Sequence, residues 1–425
     1  MRVLQTIFDG GGSVPPQMAI TRRLVERGHE VKVVAHRPLR AAVEERGAEF
    51  IPFRETMPDL DARHPETDLI ADWGARTPIG ASVRFRDRVI CGPLRDSTRE
   101  YLGVLGQWPA DAVVSDFLFP GGLLAAQKAD IPGFVIVHCP FPTPIGGGPP
   151  IGSGVRPGRS PIGRARDRLL CAATRRFYRP VRDAVDEVRA EHGLAPVHDL
   201  DAALFGAERV FVMTAPELDF SSRAVLPPNV TYAGPAFEPA AAEWTSPWPA
   251  ENRDPLVVIS FSTTYMDQRG MAERALEAVS TLPVRALLTA GPALDVGRLA
   301  IPANARAVSY VPHAAVFPHA SLVVTHAGYG TIQAALAAGV PVVAMPDGRD
   351  QPDNAARVVE AGAGVRVRKN ASAAKLRGAI AGALADGALK AAAERMAVAL
   401  RRDGAGAVVD AVERAERRRT VAGRH

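Results

Sequence analysis

Cysteine is scarce: Cys91, Cys139 and Cys171 are the only three in 425 residues. They lie far apart, form no Cys-x-x-Cys pair and have no histidine at metal-ligand spacing. That argues against a disulfide framework and fits a reducing cytoplasm. Long apolar runs are also missing. No stretch approaches the roughly 20 apolar residues of a membrane helix, so no membrane insertion is expected. The first apolar run, "MRVLQTIF", is broken by Asp9 and three glycines, short of the core of a secretory signal. Aromatics make up 6% of the residues and do not interleave with basic ones, so no nucleic-acid groove is indicated. The net charge of +5 gathers in places such as the C-terminal "ERAERRRTVAGRH", which reads as a solvated helix end. What remains is an ordinary globular composition, 47% hydrophobic and 23% charged, expected in the cytoplasm.

A chain this long exceeds a single core, so two domains are expected. Short β-branched runs alternate with helical patterns in the first half: "RVLQTIF", then "PPQMAITRRLVERGH" with Pro near its start and Gly28 at its end, then "EVKVVA", "PLRAAVEERG" and "AEFIPF". A long helical pattern over 82–107 precedes "DAVVSD", "GGLLAAQKA" and "GFVIVH"; another covers 162–192 before "ERVFVMT". Residues 140–160, rich in Pro and Gly, read as a binding loop or flap. The segment 234–255 lacks periodicity and reads as a linker, after which "LVVISF", "VRALLTA", "RAVSYV", "SLVVTHAG", "VPVVAM" and "GVRV" restart the alternation. The expected class is α/β: one Rossmann-like domain over 1–233, a second over 256–403, and a closing helix with a basic tail over 404–425. Ligands of such sheets bind beyond the carboxyl ends of the strands, so the site is expected in the facing cleft.

Two segments carry chemistry. "FDGGGSVPPQ" (8–17) follows the first strand, and its glycines permit close backbone approach to a ligand. In the second half, "SLVVT" ends in His326-Ala327-Gly328-Tyr329-Gly330-Thr331, where a helix begins. Free N–H groups, the positive end of the helix dipole and the Thr331 hydroxyl converge there on a place for an anion. An ordinary strand-to-helix turn with a capping Thr has the same local pattern. "DLD" at 59–61 and at 199–201 follows no convincing strand and reads as helix-entry or surface carboxylates; no metal site is expected.

Residues 309–367 resemble the donor signature of the GT-B nucleotide-sugar-dependent glycosyltransferases, the family of plant UDP-glycosyltransferases and bacterial macrolide and antibiotic glycosyltransferases. The resemblance rests on Tyr310-Val311-Pro312-His313, on His326 through Thr331 and on Asp350-Gln351, in that order. It implies that Tyr310 stacks on the nucleobase, that Val311 and His313 hold its edge, and that His326, Gly328, Gly330 and Thr331 hold the diphosphate. Asp350 and Gln351, with Asn354 a turn on, would bind sugar hydroxyls. "VVISFSTTY" resembles the strand whose last hydroxyl reaches the diphosphate, which falls on Thr263, with Ser262 where glycine is usual. The implied co-substrate is a dTDP- or UDP-sugar, with neither metal nor cofactor. The implied partner is a small apolar acceptor, held by Gly11, Gly12 and the loops over 54–95 and 139–165 with Phe53, Trp73, Phe85 and Phe141.

Two departures from the resembled pattern stand out. The family's ribose-binding Glu is replaced by Ala334, with Gln333 beside it, so a dTDP-sugar is expected to serve at least as well as its UDP counterpart. The family's basic histidine, aligned on Pro16, is Ser13, which cannot deprotonate an acceptor unaided. "AVVSDFLFPGG" still carries Asp116 in the place of the family's orienting aspartate. Candidate bases are therefore Asp116, acting directly or through a water held by Ser13, then His138, then Asp9. An already acidic acceptor, such as a phenol, would need none. Two rival functions use the same donor grip: a sugar-nucleotide epimerase, and a non-catalytic sugar-nucleotide-binding protein.

Overall fold

Strand β1 (Arg2–Thr6) is buried from Val3 onward, and its neighbours are runs of Val, Ile and Phe buried on both faces. Strands covered on both sides pair in parallel beneath helices. The computed structural model, which describes residues 1–54, 67–68, 70–142, 148–223, 225–238 and 243–422, has parallel pairing in both sheets. The first sheet runs β3 (Glu49–Pro52), β2 (Glu30–Ala35), β1, β4 (Ala112–Asp116), β5 (Gly133–Val137), β6 (Arg209–Val212), β7 (Val230–Tyr232). The second runs β10 (Ala305–Val308), β9 (Arg285–Thr289), β8 (Leu256–Ser260), β11 (Leu322–Thr325), β12 (Val342–Ala344), β13 (Gly364–Arg366).

This topology places the site. In each sheet the winding direction reverses once, between β1 and β4 and between β8 and β11. The chain leaving such a pair diverges to opposite faces and opens a crevice at the carboxyl ends. The glycine loop and Asp116 stand at the first crevice; Thr263 and His326 stand at the second.

Several elements differ from the sequence reading. The helix expected over 82–107 is broken into Pro78–Phe85, a wide turn Arg86–Cys91 and Leu94–Gln107, the second break falling at Gly92-Pro93. The helix expected over 162–192 is two, Pro161–Phe177 and Arg179–Glu191, with Pro180 in the first turn of the second. Strand β7, three residues long, was not anticipated. The 199–201 copy of "DLD" is a helix entry: Asp199 accepts from the Ala202 N–H at 2.8 Å at the start of Leu200–Phe205. The copy at 59–61 lies outside the described residues. Trp248, within the stretch read as linker, is buried in the core beneath the second sheet. The last helix, Gly404–Ala422, returns to the first sheet, where Val408, Val409 and Val412 join the core beneath the helix Val14–Glu26.

Candidate functional site

A cavity of about 1480 Å³ lies between the two sheets, walled by residues of both. The glycine loop forms part of its first-domain wall. Gly11 has φ +73°, and a Cβ there would sit 2.6 Å from Thr263 Oγ1 and 2.9 Å from Thr264 Cγ2. Only glycine permits both that backbone and that approach. The Gly12 carbonyl lies 3.7 Å from the place a Cβ on Gly330 would occupy, so this loop meets both phosphate-type loops of the second domain.

Ser13 is folded back into the loop: its Oγ donates to Phe8 O at 2.9 Å and accepts from Gly10 N–H at 3.2 Å. The hydroxyl thus closes the turn that a histidine would otherwise leave. Asp9 turns away from the cavity, accepting from the Gly11 N–H at 3.4 Å, with its carboxyl pushed up by burial. As a candidate base it is displaced by this turn geometry.

Asp116 is fully buried and is not among the residues lining the cavity. Its Oδ2 accepts from Gln17 Nε2 at 2.5 Å and from Phe8 N–H at 3.4 Å; its Oδ1 accepts from Leu118 N–H at 2.9 Å. Its remaining partner is His138 Nε2, 3.2 Å from Oδ1. The register explains the contact: Asp116 pairs with Ile136 across β4 and β5, which brings His138, just past the end of β5, over the carboxylate. His138 lines the cavity, its ring edge-on to Phe117 at 5.0 Å. With four donors around it and no access to the cavity, Asp116 is placed to orient an imidazole rather than to take a proton. Gln17, absent from the sequence reading, belongs to this network, and Gln5 and Thr21 hold its backbone carbonyl.

The donor-side candidates Thr263, Tyr310, Val311, His313, His326, Gly328, Gly330, Thr331, Asp350 and Gln351 all line the same cavity. Tyr310 is 73% exposed, open to stacking. His313 contacts Ser260 Oγ through Nε2 at 3.0 Å and stacks on Phe317 at 4.4 Å. Gly328 opens the helix Tyr329–Ala337; a Cβ there would fall 2.6 Å from His326 Nε2, so glycine leaves room for the ring. Ala327 is held at φ +71°, and Asn354 Nδ2 donates to its carbonyl at 3.0 Å and to Asp350 Oδ2 at 2.8 Å. Asn354 therefore ties the His326 turn to Asp350. Burial pushes the Asp350 carboxyl up, against the Asn354 bond.

Gln351 differs from its expected role. Its Oε1 accepts from Asp347 N–H at 2.9 Å and Gly348 N–H at 3.2 Å, and its Nε2 lies 3.2 Å from Met266 Sδ. The amide shapes the loop that carries Asp350, leaving a single N–H for a sugar. Phe141 is also corrected: it is buried against Phe205 at 5.1 Å and does not line the cavity, because Asp219 fixes its backbone N–H at 2.8 Å and turns the ring into the core. Gly11 and Gly12 do line it. Arg349 was missed altogether. Its guanidinium makes two 2.9 Å bonds to Asp72 and one of 3.0 Å to Thr264 Oγ1, bridging the domains with positive charge next to the anion-type turn. Its signal was a basic residue directly before Asp-Gln. Among the described residues no cluster of three His, Cys, Asp or Glu side chains could hold a metal ion, and no helix is long and apolar enough to cross a membrane.

Burial lowers the His326 imidazole to about 4, so it is neutral at pH 7. Unfolded histidine titrates near 6.5, so the unfolded chain binds the extra proton as pH falls from 6.5 towards 4 and native stability drops. From pH 7.5 to 5 the wild type is expected to lose about 2 kcal/mol more stability than His326→Gln. Urea unfolding of both proteins at the two pH values checks this; parallel losses would refute it.

Two facing Rossmann-like domains with a nucleotide-type anion turn in one and a buried Asp–His pair in the other define a GT-B glycosyltransferase. Residues 273–409 match the erythromycin biosynthesis protein CIII-like C-terminal domain. The chain is 30% identical to 4'-demethylrebeccamycin synthase of Lentzea aerocolonigenes, over 87% of this chain and 88% of that protein. It therefore belongs to the family of nucleotide-sugar-dependent glycosyltransferases that includes the bacterial macrolide and antibiotic enzymes. Its fold matches the solved glycosyltransferase of kitacinnamycin with TM-score 0.75 at 23% identity, over 97% of this chain and 98% of that one. It also matches glycosyltransferase VinC in complex with dTDP with TM-score 0.69 at 20% identity, over 98% and 100%.

Proposed function

We propose that this glycosyltransferase is an inverting, metal-independent enzyme of natural-product biosynthesis. It moves a sugar from a dTDP- or UDP-sugar to a small apolar acceptor, with His138 as general base and Asp116 as its orienting partner. The observation that carries this reading is the 3.2 Å contact of His138 Nε2 with Asp116 Oδ1 on the wall of the cleft that holds the donor loops. With Nε2–H directed at the carboxylate, Nδ1 is the basic nitrogen. An acceptor hydroxyl gives its proton to Nδ1 as its oxygen bonds to the anomeric carbon and the nucleotide diphosphate departs. The start of the helix Tyr329–Ala337, the Thr331 hydroxyl and Arg349 supply the positive potential that the leaving diphosphate requires. The apolar part of the wall, including Phe8, Ile70, Phe85, Ile90 and Leu118, supports a hydrophobic acceptor.

Transfer from a panel of nucleotide sugars to apolar aglycones, with the anomeric configuration of donor and product read by NMR in chelator, tests this reading. Retention, or loss of activity on chelation, would overturn it. Donor choice rests on the same wall. Ala334, standing where the family's ribose-binding Glu is usual, offers no charged contact, and the neighbouring Gln333 is a buried amide whose Oε1 lacks a hydrogen-bond partner. At equal sugar identity the dTDP donor is expected to match or exceed the UDP donor in kcat/KM. A preference for UDP of more than about tenfold, 1.4 kcal/mol in transition-state terms, would count against it.

A further inference from the structure

The helix Pro161–Phe177 turns an apolar stripe to solvent. Ile162, Ala165, Leu169 and Ala172 recur at spacings of three and four, on one face, and all are exposed, Ile162 by 83% and Leu169 by 72%. The opposite side faces the protein, with Asp167 buried and accepting from the Gly158 N–H at 2.7 Å. Arg168 and Arg175 flank the stripe on one side and Arg166, which also pairs with Asp167 at 2.7 Å, on the other; Arg176, four residues after Ala172, ends the stripe with a charge. The helix carries five arginines and that single, inward aspartate.

Exposed apolar residues at this spacing suit a second helix or an interface. A second copy of this chain is the poorer fit. A helix pairing through the stripe would set Arg166, Arg168 and Arg175 beside the seam, opposite arginines of the same kind, where paired helices place opposite charges. Anionic headgroups complement the same arrangement: arginines meet the phosphates while Ile162 and Leu169 enter the boundary with the acyl chains. We propose that this face docks the protein on an anionic lipid surface. The helix is about 25 Å long and lies along the interface rather than across it.

Its position gives the docking a use. Tyr178, directly after the helix, and Ile151 line the acceptor side of the cavity, and Cys171 Sγ donates to Gly148 O at 3.4 Å to hold the intervening loop against the helix. A bilayer under the stripe would bring membrane-dissolved apolar molecules to this wall.

The test is flotation of the full chain with vesicles of phosphatidylcholine alone or with one quarter phosphatidylglycerol. The protein is expected to float with the anionic vesicles and not the neutral ones, and to be released by half-molar salt. Ile162→Ser with Leu169→Ser is expected to lower partitioning by about tenfold, and Arg168→Gln with Arg175→Gln to remove the headgroup preference. Both variants should keep wild-type transfer to a water-soluble acceptor, which separates docking from folding. No flotation of the wild type at low salt, or undiminished flotation of the serine variant, would overturn the proposal. So would a wild-type dimer in sedimentation velocity that the serine variant converts to monomer, because the face would then belong to a second copy.

Discussion

Replacing His138 with alanine is expected to lower kcat by about 10²–10⁴-fold, the usual contribution of a positioned general base. The donor KM should change little, because the loops around His326 and Asp350 lie on the other domain. Asp116→Asn should approach the same loss through a different route. The amide has a single oxygen: turned to Phe8 and Gln17 it still accepts there, but its NH2 then faces Leu118 N–H and His138, so it no longer accepts Nε2–H and leaves the imidazole free to present the wrong nitrogen. Added imidazole should restore part of the activity of His138→Gly and none of that of Asp116→Asn. Single-turnover transfer to an alcohol acceptor measures all of this. If His138→Ala keeps a third or more of the wild-type rate on an alcohol, the base is elsewhere.

Removing the Arg357 side chain, as in Arg357→Met, is expected to destabilise the protein by about 3–5 kcal/mol. Arg357 is buried on the helix Gln351–Glu360 and reaches Asp219 of the first domain at 2.9 and 3.2 Å, its guanidinium 4.4 Å above the Phe220 ring. Asp219 also accepts from Phe141 N–H and from the Tyr232 hydroxyl at 2.9 Å. Without the arginine a fully buried carboxylate would keep these neutral donors and lose its counter-charge. The same helix carries Asp353, whose two oxygens accept from the Gly152 and Gly154 N–H groups at 2.7 and 2.8 Å. The helix thus grips the first domain twice, through Arg357 on Asp219 and through Asp353 on the Pro/Gly loop. Urea unfolding gives the magnitude, and the double variant Arg357→Met, Asp219→Asn should recover at least half of it. A single variant within about 1 kcal/mol of wild type would mean that the pair is not buried in solution.

That the donor-side candidates gather on one cleft was legible because they sit on local backbone at strand ends. His326, Gly328 and Thr331 are within six residues of one another at one strand end, and the glycine that spares the His326 ring is visible as a letter. The acceptor side was legible only in part. The absence of a basic histidine at Ser13 could be read directly, but the partnership of Asp116 with His138 depends on the register between β4 and β5, which no local pattern encodes. Asp9 and Phe141 sit next to the cleft in sequence and turn away from it, Asp9 towards the Gly11 N–H two residues on and Phe141 through a bond to Asp219, 78 residues downstream. Gln351 matched its motif by identity while its amide went to the loop's own N–H groups. Arg357 and Asp353 were unreadable for a related reason: each acts on a residue of the other domain, as Arg349 does, whose only local mark is its place before Asp-Gln. The broken helices, by contrast, carried their signals in Pro93 and Pro180.

The return of the last helix has a consequence for recombining such enzymes. A chimera cut once, in the segment before β8, would pair the first half of one enzyme with a helix Gly404–Ala422 grown against another. That helix supplies Val408, Val409 and Val412 to the first sheet's core and Asp410 and Glu413 to Arg27, while Asp403, directly before it, pairs with Arg23. The unit to exchange is discontinuous: the first sheet with its loops, together with the chain's final helix. A graft that moves both pieces keeps the core whole, whereas one that moves only the first leaves an apolar face fitted to a partner it no longer meets.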